Sequence, residues 1–472
     1  MLDPSELRGK RHDLSIFLIM VAFFCGLFLV PSGGAYNILL IFFFFLFSGF
    51  AFISLRLTAL LVVFFIPLAG ALRWNDSGSP LAALFQSGIF SLAIIAAFFH
   101  VLIRTRFRVA RLPISHLLLF VPFFLLIFLH TLIIFFSNPI LGFALVREYI
   151  LPLLLFFVFY YAIRMETIEV RFLVLLLVVV TSGIAVVDIA HYFFDLGAPY
   201  PRYVWARGVD YIPETRSVFG HSVARSQHLL GLGSQGGGAV FYAIIGMLGI
   251  LLLRETQGFT RFLLLTASFL LFVAGALIIS GSFMMALVLM GGYLLVTQGA
   301  ARNPIVQKTL LGIILSVFLF LIVSSDIFVL GNRQISLISY GVTWWDRGTA
   351  ILFNLAGFPL FVGGGLGVLG RVGLDLDMTG RVFFDTWIFS VVPQLGLVGF
   401  FSMLLSWAYW LWLTSSKTAF VRRICTELKL AGLILVGALA YVHQAAFVSR
   451  LMIPVLMLGV AIVLAVGARR RQ

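Results

Sequence analysis

Long apolar runs, separated by short polar stretches, set the pattern of this chain. A run of about 20 apolar residues spans the hydrocarbon of a bilayer as a helix. Roughly 14 such runs are readable at that length. They lie at 14–31, 35–54, 57–72, 81–103, 114–136, 150–163, 172–193, 235–253, 262–280, 283–297, 309–330, 387–413, 430–447 and 451–468. The runs at 150–163 and 283–297 are short and read as broken or tilted. The pattern predicts an all-α, polytopic transmembrane helix bundle of about 14 spans, with 12 as the lower count. It divides the chain into N-terminal transmembrane helices (1–193), a long loop (194–234), a second helical block (235–330), a larger loop (331–386) and C-terminal helices (387–472). The first run reads as a span and not as a cleaved signal, because no small-residue cleavage site follows it and another span comes at once.

Composition agrees with this pattern: 62% of residues are hydrophobic and 11% charged, against about 25% charged in a soluble chain. Only Cys25 and Cys425 are present, one in a span and one in a basic stretch, so no disulfide framework is expected. The net charge of +14 acquires meaning once it is placed. With the N-terminus on the cytoplasmic side and strict alternation through the runs, the inner side holds 21 of the 32 basic residues and seven of the 18 acids. The outer side is then electrically balanced, and the whole excess is the positive-inside bias. Both termini are expected in the cytoplasm, and nucleic acid is not expected as a partner. The inner loops are too short for a nucleotide-binding domain, and no GxxxxGK[ST] phosphate cradle occurs.

All four lysines fall inside, so every basic residue outside is an arginine. Arginine's planar, permanently charged fork grips phosphate in two places. The alternative is that these arginines pair with the outer acids or touch lipid headgroups. Three stretches concentrate the polar chemistry. The first, Thr215 to Gly231, carries Arg216, His221, Arg225 and His228. If 221–232 is helical, His221 and Arg225 share one face and His228 stays close to it, an arrangement that suits an anion more than a metal. The second, Trp344 to Gly367, places Arg347 at the head of an apolar helix read as re-entrant or interfacial. A glycine-rich turn follows at Gly363, Gly364, Gly365 and Gly367, where backbone N–H groups can approach a ligand. The third, Phe383 to Gly399, opens a span with Asp385 and Thr386. Asp385 reads either as a helix cap or as a general base toward an attacking hydroxyl. Arg381 stands just before it. Arg147 and Glu148 are placed at the outer start of the sixth span. Asp188 and His191 are placed at the outer end of the seventh, where ionisable residues are paired or functional. Asp375 and Asp377 read as loop solvation, or with Asp385 as a weak set of oxygen ligands; no metal or other cofactor is expected.

In this order, the pieces resemble the O-antigen polymerase and O-antigen ligase superfamily of bacterial inner-membrane glycosyltransferases. The resemblance covers about Thr215 to Gly399 and rests on Arg216 with Gly220, Ser280-Gly281-Ser282, Arg347 with Gly363–Gly367, and Asp385-Thr386 followed by Gly396-Leu397-Val398-Gly399. Ligases of this kind carry a histidine followed by Asn in the last motif, where this chain has Asp385 and Thr386, and the Pro-Asn pair after the first Arg is absent. Those departures favour the polymerase. The resemblance implies a GT-C-like bundle with both long loops in the periplasm and an undecaprenyl-diphosphate-linked glycan as donor. A second lipid-linked glycan would be the acceptor, and a chain-length regulator and a flippase further partners. It assigns catalysis to Arg216, Arg347, Asp385 and His221, and substrate binding to Arg225, His228, Arg381 and Arg147. The alternatives are a ligase that transfers the glycan to lipid A-core or another acceptor, and a lipid-linked oligosaccharide flippase or other transporter.

Overall fold

The computed structural model describes residues 13, 15–23, 26, 34–68, 80–105, 114–165, 167–194, 215–218, 221–224, 235–278, 281–297, 329–330, 333–334, 358–363, 387–415, 422–440 and 452–469. Helices dominate them. They are α1 (Gly34–Ala51), α2 (Leu55–Leu68), α3 (Pro80–Arg104), α4 (Val121–Ser137), α5 (Pro139–Leu145), α6 (Leu151–Arg164), α7 (Val170–Phe194), α8 (Gln235–Leu252), α9 (Gly258–Leu277), α10 (Gly281–Thr297), α11 (Phe358–Val362), α12 (Trp387–Ser415), α13 (Arg422–Ala440) and α14 (Met452–Arg469). Four of these, α1, α7, α9 and the Gln394–Thr414 part of α12, are long and apolar enough to cross a membrane, and shorter apolar helices accompany them.

Two kinds of helix follow from where the apolar surface goes. In α14 every residue from 452 to 466 is buried, and in α2 every residue from Leu55 to Pro67 except Arg56 is buried. Helices that are apolar all round belong in the middle of a bundle. Other helices leave large apolar side chains bare, among them Phe136 at 78%, Ile140 at 74% and Phe259 at 73% exposure. Apolar surface on this scale is a liability in water and ordinary against lipid.

Helix ends gather in a way that checks the alternation of spans. Arg171 at the head of α7 forms an ion pair with Glu255 just after α8, and Thr426 near the head of α13 hydrogen-bonds the same carboxylate. Ser54 hydrogen-bonds Asp13 at 3.0 Å, and Tyr293 donates to Thr414 at 3.1 Å. Every one of these residues is expected on the inner side. In the other halves of their helices, Tyr149 reaches Gln394 at 3.3 Å, His130 reaches the Val362 carbonyl at 2.9 Å, and Tyr242 reaches Asp188; the alternation expects these residues in the outer half of the bundle or in the outer loops. The Tyr293–Thr414 contact has a further consequence. It joins the C-terminal ends of α10 and α12, so the two helices run in the same direction. The chain between them must therefore return to the other face. That return agrees with the expected span at 309–330, of which 309–328 lie outside the described residues.

Three local readings change. Residues 221–224 do not form a helix. They are strand β2 (His221–Ala224), paired antiparallel with β1 (Thr215–Val218). The remainder of the expected helix, 225–232, lies outside the described residues. The two-residue alternation of Arg216 and Val218 with Ser217, and of His221 and Val223 with Ser222, suits a strand better than a helix. A second pair, β3 (Val329–Leu330) and β4 (Arg333–Gln334), completes a four-stranded sheet in the order β2-β1-β3-β4. The bundle is thus helical, with a small sheet added by the loops, and 329–330 belong to that sheet. Finally, the sixth span does not start at 150. Its helix begins at Pro139 and runs through a π-helical turn, Val146–Ile150, into α6. Asn138 makes the reversal after α4: its side chain caps α5 by accepting from the Leu141 N–H at 3.2 Å.

Candidate functional site

One half of the bundle, the half that the charge pattern leads one to expect outside, brings together segments that are far apart in sequence. The centre of the arrangement is a backbone clasp. Gly363, at φ +87°, lies against the carbonyl of Gln394, and Gly396, at φ +66°, lies against the carbonyl of Phe361. Each glycine occupies the left-handed region, and a Cβ at either position would strike the other segment's backbone. The two glycines therefore allow α11 to nest in the bend of α12, where Gly396 interrupts the helix. The second and third polar stretches of the sequence meet at this clasp.

Side chains from two more helices close on it. His130 of α4 hydrogen-bonds the Val362 carbonyl at 2.9 Å. Tyr149, within the π-helical turn, donates to the Gln394 Oε1 atom at 3.3 Å. Gln394 is 3% exposed and Tyr149 5%, so this contact is buried. Thr131, next to His130, is buried as well. A π-helical turn inside an α-helix widens the ring of backbone bonds and often marks a functional position. Here it sets both Tyr149 and Arg147 on the helix that faces the clasp. Arg147 is half-buried and lies about two and a half turns beyond the reversal at Asn138, about 13 Å along the helix by its rise per residue. It therefore lies within a helix that begins at Pro139, where the sequence reading put it at a helix start. His130, Tyr149 and Gln394 did not stand out in the sequence. A polar residue within an apolar run is the signal that finds them.

A second buried pair joins the C-terminal part of α7 to the middle of α8, where the Tyr242 hydroxyl donates to the Asp188 carboxylate. Asp188 is 2% exposed. Its helix-end position was legible, but its partner was not.

Among the sequence-predicted site residues, Arg216 and His221 are placed by strand register. Arg216 pairs with Val223, and Val218 with His221. Paired positions, and positions two apart on a strand, share a face. Arg216 and His221 therefore occupy one face of the sheet, replacing the expected helical face of His221 with Arg225. Arg225, His228, Arg347, Arg381 and Asp385 lie outside the described residues. Ser217 and Ser222 take the opposite face. No family model, curated protein or solved structure matches the chain.

Proposed function

We propose that the chain is an inner-membrane glycan polymerase with a GT-C-like bundle. It would work on the periplasmic face, using an undecaprenyl-diphosphate-linked oligosaccharide as donor and a second lipid-linked repeat unit as acceptor. The acceptor's sugar hydroxyl attacks the anomeric carbon of the donor glycan. A new glycosidic C–O bond forms and the bond from that carbon to the diphosphate oxygen breaks. The hydroxyl proton passes to Asp385 or His221, and undecaprenyl diphosphate leaves. Arg216 and Arg347, assisted by Arg225, Arg381, His228 and Arg147, stabilise the charge that grows on the leaving diphosphate. The saccharide is already activated by its lipid diphosphate, so no nucleotide or cytoplasmic domain is needed.

The observation that supports this reading is that segments far apart in the chain are held together in two places. The sheet couples 215–224 to 329–334, and the glycine clasp couples 361–363 to 394–396. A site that must hold two lipid-linked glycans needs contributions from several loops held in fixed relation. The deciding experiment supplies purified protein with lipid-linked repeat units and follows lipid diphosphate release and chain lengthening. Lengthening without any other acceptor, abolished in Arg216→Ala and Arg347→Ala proteins that remain folded, is the expected result. Full activity in both variants defeats the assignment. Transfer only to an added lipid A-core acceptor makes the chain a ligase. Transbilayer movement of the lipid-linked glycan with no glycosidic product makes it a flippase.

A further inference from the structure

The sheet holds a residue that the sequence pattern did not single out. Leu330 of β3 pairs with Arg216 of β1 on one side and with Arg333 of β4 on the other. Val223, Arg216, Leu330 and Arg333 therefore form one row across the four strands, and positions in such a row share a face. His221 shares it too, through its pairing with Val218. The same face thus carries two arginines and a histidine, contributed by both long loops. The opposite face carries Thr215, Ser217, Ser222, Ala224, Val329 and Gln334. None of the strand residues is acidic.

Spacing gives this row its chemistry. Adjacent strands lie about 4.8 Å apart, so two intervals separate the Arg216 and Arg333 backbones by about 10 Å. Like charges directly opposite each other weaken a sheet. Here Leu330 stands between them, which keeps the strands compatible. Two arginine positions in one row at that separation are placed to act on one multivalent anion. Two guanidinium forks suit two linked phosphates better than a single point charge would.

We infer that Arg333 is a second diphosphate-binding residue, acting with Arg216 across the face of the sheet that joins the two long loops. The identity of the ligand as the donor's diphosphate rests on the function proposed above; the anion site itself does not. The test uses the full chain in nanodiscs of neutral lipid, with inorganic pyrophosphate as the probe. Arg333→Gln should weaken pyrophosphate binding roughly tenfold or more, the scale of a lost charge-assisted contact. Arg333→Lys should recover part of that loss. The Arg216→Gln, Arg333→Gln double variant should lose less than the product of the single losses, because both arginines hold one ion. Gln334→Glu introduces an acid on the opposite face and should leave binding unchanged. Wild-type affinity in Arg333→Gln overturns the inference. So does an equal loss in Gln334→Glu and Arg333→Glu, which would mean a diffuse field and no defined face. Dependence on Arg333 for binding phosphatidylglycerol but not pyrophosphate also overturns it, in favour of an ordinary headgroup contact. An Arg333-dependent pyrophosphate site in a protein that releases no lipid diphosphate from lipid-linked glycans leaves this inference standing and removes the polymerase.

Discussion

Gly363 and Gly396 are held by their surroundings more than by their own flexibility. Each sits at positive φ with the other segment's backbone where its Cβ would be. Left-handed backbone costs a non-glycine residue roughly 1–2 kcal/mol before any collision. Gly363→Ala and Gly396→Ala should therefore each destabilise by more than about 2 kcal/mol, seen as a lower melting temperature of the purified protein. Gly183, in the middle of α7, has open space where its Cβ would lie. Gly183→Ala should leave the melting temperature unchanged or raise it, since alanine favours a helix by up to about 1 kcal/mol. Equal effects at all three sites would remove the clasp as the cause. The buried Asp188–Tyr242 contact responds to a different rule. Removing one hydrogen bond from a buried carboxylate costs about 1–3 kcal/mol. Tyr242→Phe, which keeps the ring and loses the hydroxyl, should lower stability by that amount, read as a lower melting temperature. An unchanged melting temperature would show that Asp188 is fully served by its other contacts.

Among the elements, the sheet was the least legible feature and the spans the most. A transmembrane helix declares itself over about 20 residues, whereas β3 and β4 have two residues each. Their signal is small: Val-Leu and Arg-Gln flank Gly331-Asn332, a pair of the type that closes a two-residue hairpin. Read by composition alone, 309–330 looked like one apolar run that ended at Leu330, so the strand was absorbed into the span. The first loop carried the equivalent signal in Phe219-Gly220 between two alternating tetrads. There the four-residue spacing of His221 and Arg225 competes with it, because the same spacing suits one face of a helix. The π-helical turn was hidden for a different reason, since its effect is on backbone spacing and leaves the apolar pattern intact. Strand pairing between the loops can be checked directly. The Arg216↔Leu330 register puts Ser217 opposite Val329. With Cys25 and Cys425 replaced by serine, Ser217→Cys with Val329→Cys should form a disulfide under mild oxidation. Ser217→Cys with Gln334→Cys, two strands apart, should not. Intact crosslinks between 217 and 329 would appear as a fragment-retaining shift after proteolysis within 219–328. Their absence would break the link between the two loops and with it the shared arginine face.

At the scale of the whole molecule, charge and packing bear independently on sidedness. The bias of Lys and Arg is a property of loops and tells which face is cytoplasmic. The contacts between helix ends tell which ends share a face, without saying which face it is. They agree at every described end contact quoted above, from Arg171–Glu255–Thr426 on one side to Tyr149–Gln394 on the other. The agreement depends on the number of crossings between contacting segments, because one missed span between α4 and α11 would put His130 and Val362 on opposite sides of the count. Absolute orientation is then a single measurement. Ser137 at the tip of the α4–α5 reversal and Gln257 in the turn between α8 and α9 are both exposed, and they lie at opposite ends of the bundle. In a background without native cysteines, Ser137→Cys in intact spheroplasts should react with a membrane-impermeant maleimide. Gln257→Cys should react only after the membrane is permeabilised. The reverse pattern would invert the molecule, placing Arg216, Arg333 and His221 in the cytoplasm, where a periplasmic polymerase could not use them. Reaction of both cysteines in intact spheroplasts would mean that an even number of crossings separates 137 from 257, against the three expected at 150–163, 172–193 and 235–253.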